Sequence, residues 1–561
     1  MNSVGFTRFV NKPIGIVAFI AAIMVCNPTM ALDRFYQPVV VKGVVFGQMS
    51  GAPLDRLSLM AYGASTNTWK QIPFQIDQVS EDGSYFDQKS GLLEDSDEMV
   101  FMAKDLGDEA PSDNWPEFNG NSIVGRYKVS FSDPLAVGGE TACVYLYLLT
   151  APIQTSSDDF IQVDHENDRI KSRFYEMGFD NNNGLPVDLQ ITLENGGDNQ
   201  DFMDRLKLRM KGQVSSPGFP ALPLLFDEET GIIKVDSSGL ENPKVLDGPI
   251  RAVRDVLIKL QISVVGLGPL ELPDQYTFRI YFFPYSMLVN FKGLNFSLLK
   301  EVNGQLNLLR VSFDNNERAI GMKFMNPLNT QIIDGNSDNN VDSSLTVPGS
   351  NWSMATGNGG SMLTITLVPD IGDKQLLYYY DNQNGGSADG TDDTGDHASY
   401  GDAGFMVRNN ITSGAFDFIS TSHFLPANMS REQAEALFQA EQSPLQFEQA
   451  LFETQTTDVA DNQPPNSFLL LETYPNPYSL QSRSPLRITL NLTERENIAF
   501  SLVNTLGQVV LQRKPASVGA GSHELTWDLA KAMPDRLSSG LYWLVARGES
   551  ARLVRKIVIL R

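Results

Sequence analysis

The sequence predicts an all-β protein. Its 561 residues include 45 glycines and 30 prolines, which indicates many turns. Short apolar runs rich in Val, Ile, Phe and Tyr lie between these turns, and chains of this kind fold mainly into strands. Runs such as 276–283 and 361–368 have the length and alternation of a single strand. We therefore expect a large β-sandwich-like body, and the chain is long enough for a second, smaller domain.

Residues 1–31 predict a signal peptide. Two basic residues precede an apolar stretch at 14–25, which is shorter than the roughly 20 residues that a membrane span needs. Thr29 and Ala31 then place small residues at the positions of a cleavage site. An uncleaved anchor and a lipid attached to Cys26 remain as alternatives. No later apolar run is long enough to span a bilayer, so we expect no transmembrane span once the leader is removed.

The net charge of −24 is spread unevenly along the chain. Residues 472–561 carry 12 basic and 7 acidic side chains, whereas residues 32–471 carry 29 basic and 60 acidic ones. A body this acidic repels nucleic acid and anionic lipid. We therefore expect no nucleic-acid partner, and we expect either contact with cations or a surface that only keeps the protein soluble.

Helical patterns are scarce until the end of the body. Ser430 and Gln433 form a capping-box pattern ahead of an amphipathic run. Ser443 and Pro444 offer a second helix start ahead of the run 445–452. We expect two short helices there, followed by a polar, proline-containing linker. The predicted domains are the signal peptide at 1–31, the acidic body at 32–453 with a division near residue 150 as an open alternative, the linker at 454–467, and a C-terminal domain at 468–561.

Six short strands are predicted in the C-terminal domain, with glycine-containing turns between them. Their number and spacing fit a small antiparallel sandwich of immunoglobulin type. The predicted strands are 486–492, 497–503, 508–513, 523–527, 540–546 and 551–560.

The C-terminal domain resembles a known family. Five motifs in a fixed order carry the resemblance: YPNP at 474–477, VNTLGQVV at 503–510, AGSHE at 520–524, LSSGLY at 537–542 and RKIVI at 555–559. They resemble the type IX secretion C-terminal sorting domain of type A. The resemblance implies an immunoglobulin-like sandwich and outer-membrane export, with the secretion machinery as a partner of residues 468–561. It also implies a secreted or cell-surface location reached through the periplasm, and it leaves open whether the domain is removed.

Residues for common hydrolase chemistry are missing from the sequence. The body has only His165, His397 and His423, with no pair at metal-binding spacing and no G-x-S-x-G motif. Cys143 lies in an apolar run that predicts a buried strand, so we interpret it as a core thiol. A standard zinc hydrolase, serine esterase or papain-like protease is therefore not expected, and no catalytic residue is identified.

Acidic loops are the clearest local signal, and they make calcium the candidate cofactor. An oxygen ligand at every second position of a loop suits an ion that takes six to eight oxygens. The first loop departs from the EF-hand pattern at Asn339 and Leu345, and a solvated polar loop is the alternative. A further acidic run lies at 94–98. The candidate metal ligands are Asp334, Asn336, Asp338, Asn340 and Asp342 in the first loop, and Asp392, Asp393 and Asp396 in the second.

Two functions remain open for the body. The first is a binding or structural surface module. The second is a secreted carbohydrate-active enzyme, either a glycoside hydrolase or a polysaccharide lyase, which would make a polysaccharide the partner. Segments 248–255 and 277–286 weakly resemble large β-sandwich proteins of the galactose-mutarotase-like kind, which include polysaccharide lyases. In such a lyase, basic side chains would neutralise a substrate carboxylate and a tyrosine would act as base; the candidates are Arg251, Arg254, Arg279, Tyr281 and Tyr285.

Overall fold

The all-β prediction is confirmed by the structure, a computed structural model. No helix within the described residues is both long enough and apolar enough to cross a membrane. The structure describes residues 32, 34–87, 89–136, 138–215, 218, 220–235, 241–295, 303–337, 350–368, 371–385, 398–411, 415–455, 468–481, 485–492, 495–504, 509–519, 521–532, 537–548 and 552–560.

Helices within these residues are few and mostly short. The longest begins after Ser430, whose hydroxyl accepts a hydrogen bond from the backbone N–H of Gln433 while the Gln433 side chain accepts one from the backbone N–H of Ser430. The predicted capping box is thus confirmed. The α-helices are Glu228–Gly231, Arg431–Gln442 and Leu529–Ala532, and the 3₁₀ helices are Gly43–Met49, Leu54–Arg56, Ala103–Asp105, Leu193–Asn195 and Glu317–Ala319.

Two sheets contain the first part of the body. Alternate residues of strand Thr141–Leu149 face opposite sides: Val144 and Leu146 enter one apolar cluster, whereas Tyr145 and Tyr147 enter another. The five-stranded N-terminal sheet has the order Gln446–Glu453, Ile123–Ser132, Thr141–Leu149, Leu57–Gly63 and Thr68–Gln71. The three-stranded sheet has the order Pro38–Lys42, Glu98–Met102 and Gln75–Asp77.

The prediction of a second helix at the end of the body is wrong. Residues Gln446–Glu453 form a strand that pairs antiparallel with Ile123–Ser132. An isolated run of this composition favours a helix, but the open edge of the N-terminal sheet offers backbone partners and an apolar surface. Phe447 and Phe452 pack against Phe131 and Tyr127 there. Tertiary contacts therefore override the local helix propensity.

A fifteen-stranded sheet, the large sheet, contains most of the body. It folds over so that Leu309 and Val311 lie opposite Phe278 and Phe291 around an apolar cavity of about 30 Å³. Its order is Thr330–Ile332, Lys323–Met325, Ser350–Gly357, Gly360–Leu367, Ala415–Leu425, Ser286–Asn295, Gly268–Phe283, Ala252–Val264, Leu222–Phe226, Met203–Val214, Gly304–Asn315, Ser399–Ile411 and Lys374–Asn382, and Ile232–Lys234 and Lys244–Leu246 also pair with Ala252–Val264.

A four-stranded meander packs against the large sheet. Asp201 connects the two, because its Oδ1 accepts hydrogen bonds from the backbone N–H groups of Leu189 (2.9 Å) and Met203 (3.1 Å). The side-chain amide of Asn316 donates to its Oδ2 at 3.0 Å. The meander consists of Pro186–Ile191, Tyr175–Phe179, Arg169–Ser172 and Ile161–Asp164, in that order.

The position of Asp201 predicts a pH-dependent stability. Burial raises the pKa of its carboxyl group to about 6, above the value of about 4 in an unfolded chain. The folded state therefore binds more protons between these two values, so the stability contributed by Asp201 falls as the pH rises from about 4 to 6, by roughly 2 kcal/mol.

The Asp201→Asn variant keeps an oxygen for both backbone donors and cannot titrate. We expect the free energy of unfolding, measured in urea at pH 4, 5, 6 and 7, to fall less with rising pH in Asp201→Asn than in the unchanged protein. Asp113→Asn, at an exposed position, serves as the control. Equal pH profiles for Asp201→Asn and the unchanged protein would contradict the prediction.

The C-terminal domain is a sandwich of two sheets around its own apolar core, as predicted. All six predicted strands are present, and two further short strands precede them. The three-stranded sheet has the order Phe468–Tyr474, Leu486–Leu492 and Gly521–Trp527. The five-stranded sheet has the order Tyr478–Ser479, Arg552–Leu560, Gly540–Arg547, Glu496–Asn504 and Val509–Val518.

Candidate functional site

Both faces of the five-stranded sheet in the C-terminal domain are buried along strand Gly540–Arg547. Tyr542 and Leu544 point into the sandwich core. Trp543 and Val545, the alternate residues, belong to the apolar cluster of the N-terminal sheets. A sandwich that stood alone would expose its outer face to water and place polar residues there. The outer face of this domain is instead a contact surface for the body.

Phe447, in the strand that was predicted to be a helix, takes part in the contact between the C-terminal domain and the body. Its ring meets the Trp543 ring edge to face, with centroids 5.1 Å apart and an interplanar angle of 89°. The ammonium group of Lys556 lies 3.4 Å from the carbonyl oxygen of Phe447 and donates to it. One residue of the basic C-terminal strand is therefore directed at the body.

The first predicted calcium loop is described only at its beginning. Asp334 Oδ1 accepts a hydrogen bond from the backbone N–H of Asn336 at 2.9 Å. Asp381 lies against this loop and accepts hydrogen bonds from the backbone N–H groups of Asp334 (2.7 Å) and Gly335 (3.0 Å). Burial raises the pKa of Asp381. Asp334 and Asp381 thus lie close together, and both carboxylates accept hydrogen bonds from the backbone of the first loop.

Calcium binding by these loops stays a prediction. Within the ranges that the structure describes, no group of three or more His, Cys, Asp or Glu side chains could hold a metal ion. Six of the candidate ligands lie outside the described residues: Asp338, Asn340, Asp342, Asp392, Asp393 and Asp396.

The third acidic run has a structural role in the described part. Asp97 accepts hydrogen bonds from the backbone N–H groups of Glu94 (2.8 Å) and Val79 (3.2 Å). Glu98 lies 2.6 Å from a guanidinium nitrogen of Arg251 and 2.7 Å from Lys42 Nζ. Burial alone would raise the pKa of Glu98, but these two cations hold it at about 2. These carboxylates hold loops and balance buried charge.

The arginines considered for lyase chemistry are all paired inside the fold. Arg251 also binds Asp77, Arg254 lies 2.7 Å from Asp168, and Arg279 lies 2.6 Å from Asp255. Arg254 is fully buried, and its guanidinium carbon lies 4.0 Å from the centroid of the Phe179 ring.

The tyrosines of the same hypothesis do not share one site. Tyr281 packs on Tyr85, with ring centroids 5.9 Å apart, whereas Tyr285 stacks on Phe174 at 4.0 Å. Burial raises the pKa of Tyr285, which makes it a poor base. Arg251 and Arg279 lie together with Tyr281 around the Tyr85 ring, whereas Arg254 packs on Phe179 and Tyr285 on Phe174. The five candidates therefore do not form a single cradle for a substrate carboxylate.

A cleft that the sequence did not indicate lies between the helix Arg431–Gln442, the strand Ala415–Leu425 and residues 34–37. Its volume is about 260 Å³. His423 is 1% exposed and lies on the strand, and its Nε2 is 3.1 Å from Oε1 of Glu441 on the helix. An isolated histidine in an apolar strand gives no hint of this pairing. The remaining lining residues are Arg34, Phe35, Tyr36, Gln37, Met429, Gln433, Ala436, Leu437 and Ala440.

Arg34 fixes one end of the cleft. Its guanidinium forms an ion pair with Asp133 and donates to the carbonyl oxygens of Ala440 (2.9 Å) and Ser443 (2.8 Å). Carbonyls in the last turn of a helix have no partner within the helix, so this cation caps the helix and holds it against the sheet. Glu441 thereby acquires a fixed position opposite His423.

Comparison with known proteins identifies one part of the chain. Residues 472–560 match the model of the secretion system C-terminal sorting domain. No curated protein matches the chain.

One similar solved structure is PorZ of Porphyromonas gingivalis, described as an essential bacterial surface component of the type-IX secretion system. The sequence identity is 10% and the TM-score is 0.13, and the match covers 74% of this chain and 49% of that one. The chain thus spans about half the length of that structure, and at this TM-score the likeness carries no argument. The match at residues 472–560 does: these residues form a type IX secretion system C-terminal sorting domain, which implies export of the chain to the cell surface or into the medium.

Proposed function

We propose that this protein is a cargo that its sorting domain takes to the cell surface, where the body acts as a binding module. The observation that carries the binding role is the cleft beside His423. It is a preformed concave site of about 260 Å³ with an apolar wall and a few polar groups, which is the usual character of a ligand site. The internal pairing of the lyase candidates favours binding over lyase chemistry.

The cargo role is tested by two substitutions in the sorting domain. Leu544 is fully buried in the sandwich core, so Leu544→Asp places a charge in an apolar interior and should unfold the domain. Val509 is 58% exposed, so Val509→Asp should leave the domain folded. In cells with a type IX system, we expect the first variant to accumulate inside the outer membrane and the second to reach the surface or the medium.

As a control, the body of the retained Leu544→Asp variant must resist protease as the unchanged protein does. A misfolded body could itself block export, whatever the state of the sorting domain. Export of Leu544→Asp at the normal level would contradict the cargo role.

The binding role is tested separately by thermal unfolding of the exported protein with neutral and acidic polysaccharides and with calcium. A ligand that binds only the folded state raises the melting temperature.

A further inference from the structure

A second cleft, the polar cleft, opens where four loops of the body converge. Its volume is about 340 Å³, larger than that of the cleft beside His423 and within the usual range of ligand sites. The loops contribute residues 198–202, 318–323, 356–359 and 428–429. Loops that a packed sheet holds in place often carry binding residues.

Backbone hydrogen bonds hold these loops without a ligand. The N–H of Asn199 donates to the carbonyl oxygen of Ile191 at 3.0 Å, and the N–H of Asn428 donates to that of Gly357 at 3.0 Å. The side chain of Asn428 also donates to the side-chain oxygen of Asn358 at 3.1 Å. The polar cleft is therefore preformed, which lowers the cost of ordering its residues when a ligand binds.

The polar cleft is lined by two cations and one carboxylate, although the body as a whole is acidic. Arg318 lies 3.4 Å from Asp198, and both side chains are about half exposed. Within the described part of the chain, Arg318 has no other ion pair and Lys323 has none. The neighbouring acidic residues Asp201 and Glu317 do not line the polar cleft. Both lining cations therefore keep N–H donors for an anionic group, and a guanidinium matches a carboxylate in shape.

The remaining polar groups can both donate and accept hydrogen bonds. The side-chain oxygen of Asn358 is occupied by Asn428, so the amide hydrogens of Asn358 are left for a ligand. The side chain of Gln200 is exposed at the edge of the polar cleft. Amide groups offer donors and acceptors, and a sugar hydroxyl needs both. The lining therefore suits a molecule with several hydroxyl groups in addition to its charge.

The apolar part of the lining separates a sugar from an inorganic anion. Phe202 and Met322 are 3% and 6% exposed, and Ile320, which also lines the polar cleft, is 48% exposed. The C–H face of a sugar ring gains from contact with such a surface. A phosphate or sulfate ion gains nothing there.

We propose that the polar cleft binds a uronic acid unit of an acidic polysaccharide. The carboxylate of the sugar binds Arg318 and Lys323. Its hydroxyl groups bind Asp198, Gln200 and Asn358. The inference names a ligand class for the binding module, rests on that proposed role, and places the ligand apart from the cleft beside His423.

Trigalacturonate tests the proposal, with its fully methyl-esterified form as an uncharged probe of the same length. Calorimetric titration of the exported protein should show saturable binding of trigalacturonate that weakens with added salt. The ester should bind at least about tenfold more weakly, because it loses the charge-assisted hydrogen bonds. A hexaglutamate peptide carries carboxylates without sugar hydroxyls and should bind more weakly than trigalacturonate.

Substitutions at the edge of the polar cleft locate the site. Arg318→Gln and Lys323→Gln should each weaken trigalacturonate binding by about tenfold, and Gln200→Met by a smaller factor. Lys374 is an exposed lysine that lies outside the lining, so Lys374→Gln should bind as the unchanged protein does. None of these residues lines the cleft beside His423.

Four results would overturn the proposal: no saturable binding of trigalacturonate, equal affinity for its ester, tighter binding of hexaglutamate, or full affinity in both Arg318→Gln and Lys323→Gln. A rise in melting temperature with an acidic polysaccharide that persists in both variants would overturn this site and keep the binding module. The absence of any such rise with every ligand tried would contradict the binding module itself.

Discussion

Replacing Glu228 with alanine is expected to destabilise the body by about 3–5 kcal/mol. Glu228 and Arg209 are each 1% exposed, and two parallel contacts of 3.0 Å join the carboxylate to the guanidinium. The carboxylate also accepts the backbone N–H of Leu208 at 2.9 Å. Removing it leaves a buried cation without this counter-charge. Urea unfolding followed by circular dichroism measures the loss.

Two controls separate this effect from a general sensitivity to charge removal. Asp198 and Arg318 form a pair whose side chains are 41% and 50% exposed, so Asp198→Ala should cost less than about 1 kcal/mol. The double variant Arg209→Met with Glu228→Leu removes both charges and should recover most of the stability. A loss of stability in Glu228→Ala no larger than in Asp198→Ala would show that the buried pair does not behave as described.

Replacing Trp543 with alanine is expected to release the sorting domain from the body while the domain itself stays folded. Trp543 is 7% exposed, and its ring packs on Phe447 outside the sandwich core. Truncating a buried tryptophan costs about 3–5 kcal/mol, and here that cost falls on the contact between the two parts. Limited proteolysis should then cut the Trp543→Ala variant within residues 454–467 faster than it cuts the unchanged protein.

Trp527 provides a matched control for this prediction. It is also 7% exposed, but it belongs to the core of the sandwich. Trp527→Ala should therefore unfold the sorting domain, which is seen as cleavage throughout residues 468–561. If Trp543→Ala gives the same cleavage pattern as Trp527→Ala, the outer face of the domain is required for its folding and the prediction is wrong.

Local patterns in the sequence predicted the structure well where local interactions decide it. The helix after Ser430 depends on a cap within four residues, and the six strands of the C-terminal domain are set by alternation and turns. Residues 446–453 show the limit of such patterns. Their structure is decided by the edge strand Ile123–Ser132 of the N-terminal sheet, which lies more than three hundred residues away in the chain.

The candidate sites were less predictable because they depend on pairing across the fold. The sequence shows Arg251, Arg254 and Arg279 as unassigned cations. Strand register brings Arg279 to Asp255, whereas packing between sheets brings the other two arginines to their carboxylates. The cleft beside His423 likewise joins residues 34–37 to a strand and a helix near the end of the body, and Arg34 contacts Ala440 across 406 positions of the chain. One signal was available: the run LYWLVA at 541–546 has no polar position, which indicates a strand buried on both faces.

The strand Gln446–Glu453 has a consequence for the order in which the protein can fold. It forms one edge of the N-terminal sheet, and Glu453 binds Arg126 across 327 positions of the chain. Contacts between such distant residues form late, because a long loop must close before they contribute. A chain that emerges from its N-terminus first therefore cannot complete its first sheet until nearly all of the body has followed. The last strand of the body and the sorting domain that packs on it thus become available almost together, so completion of the cargo and presentation of its export signal are linked in time.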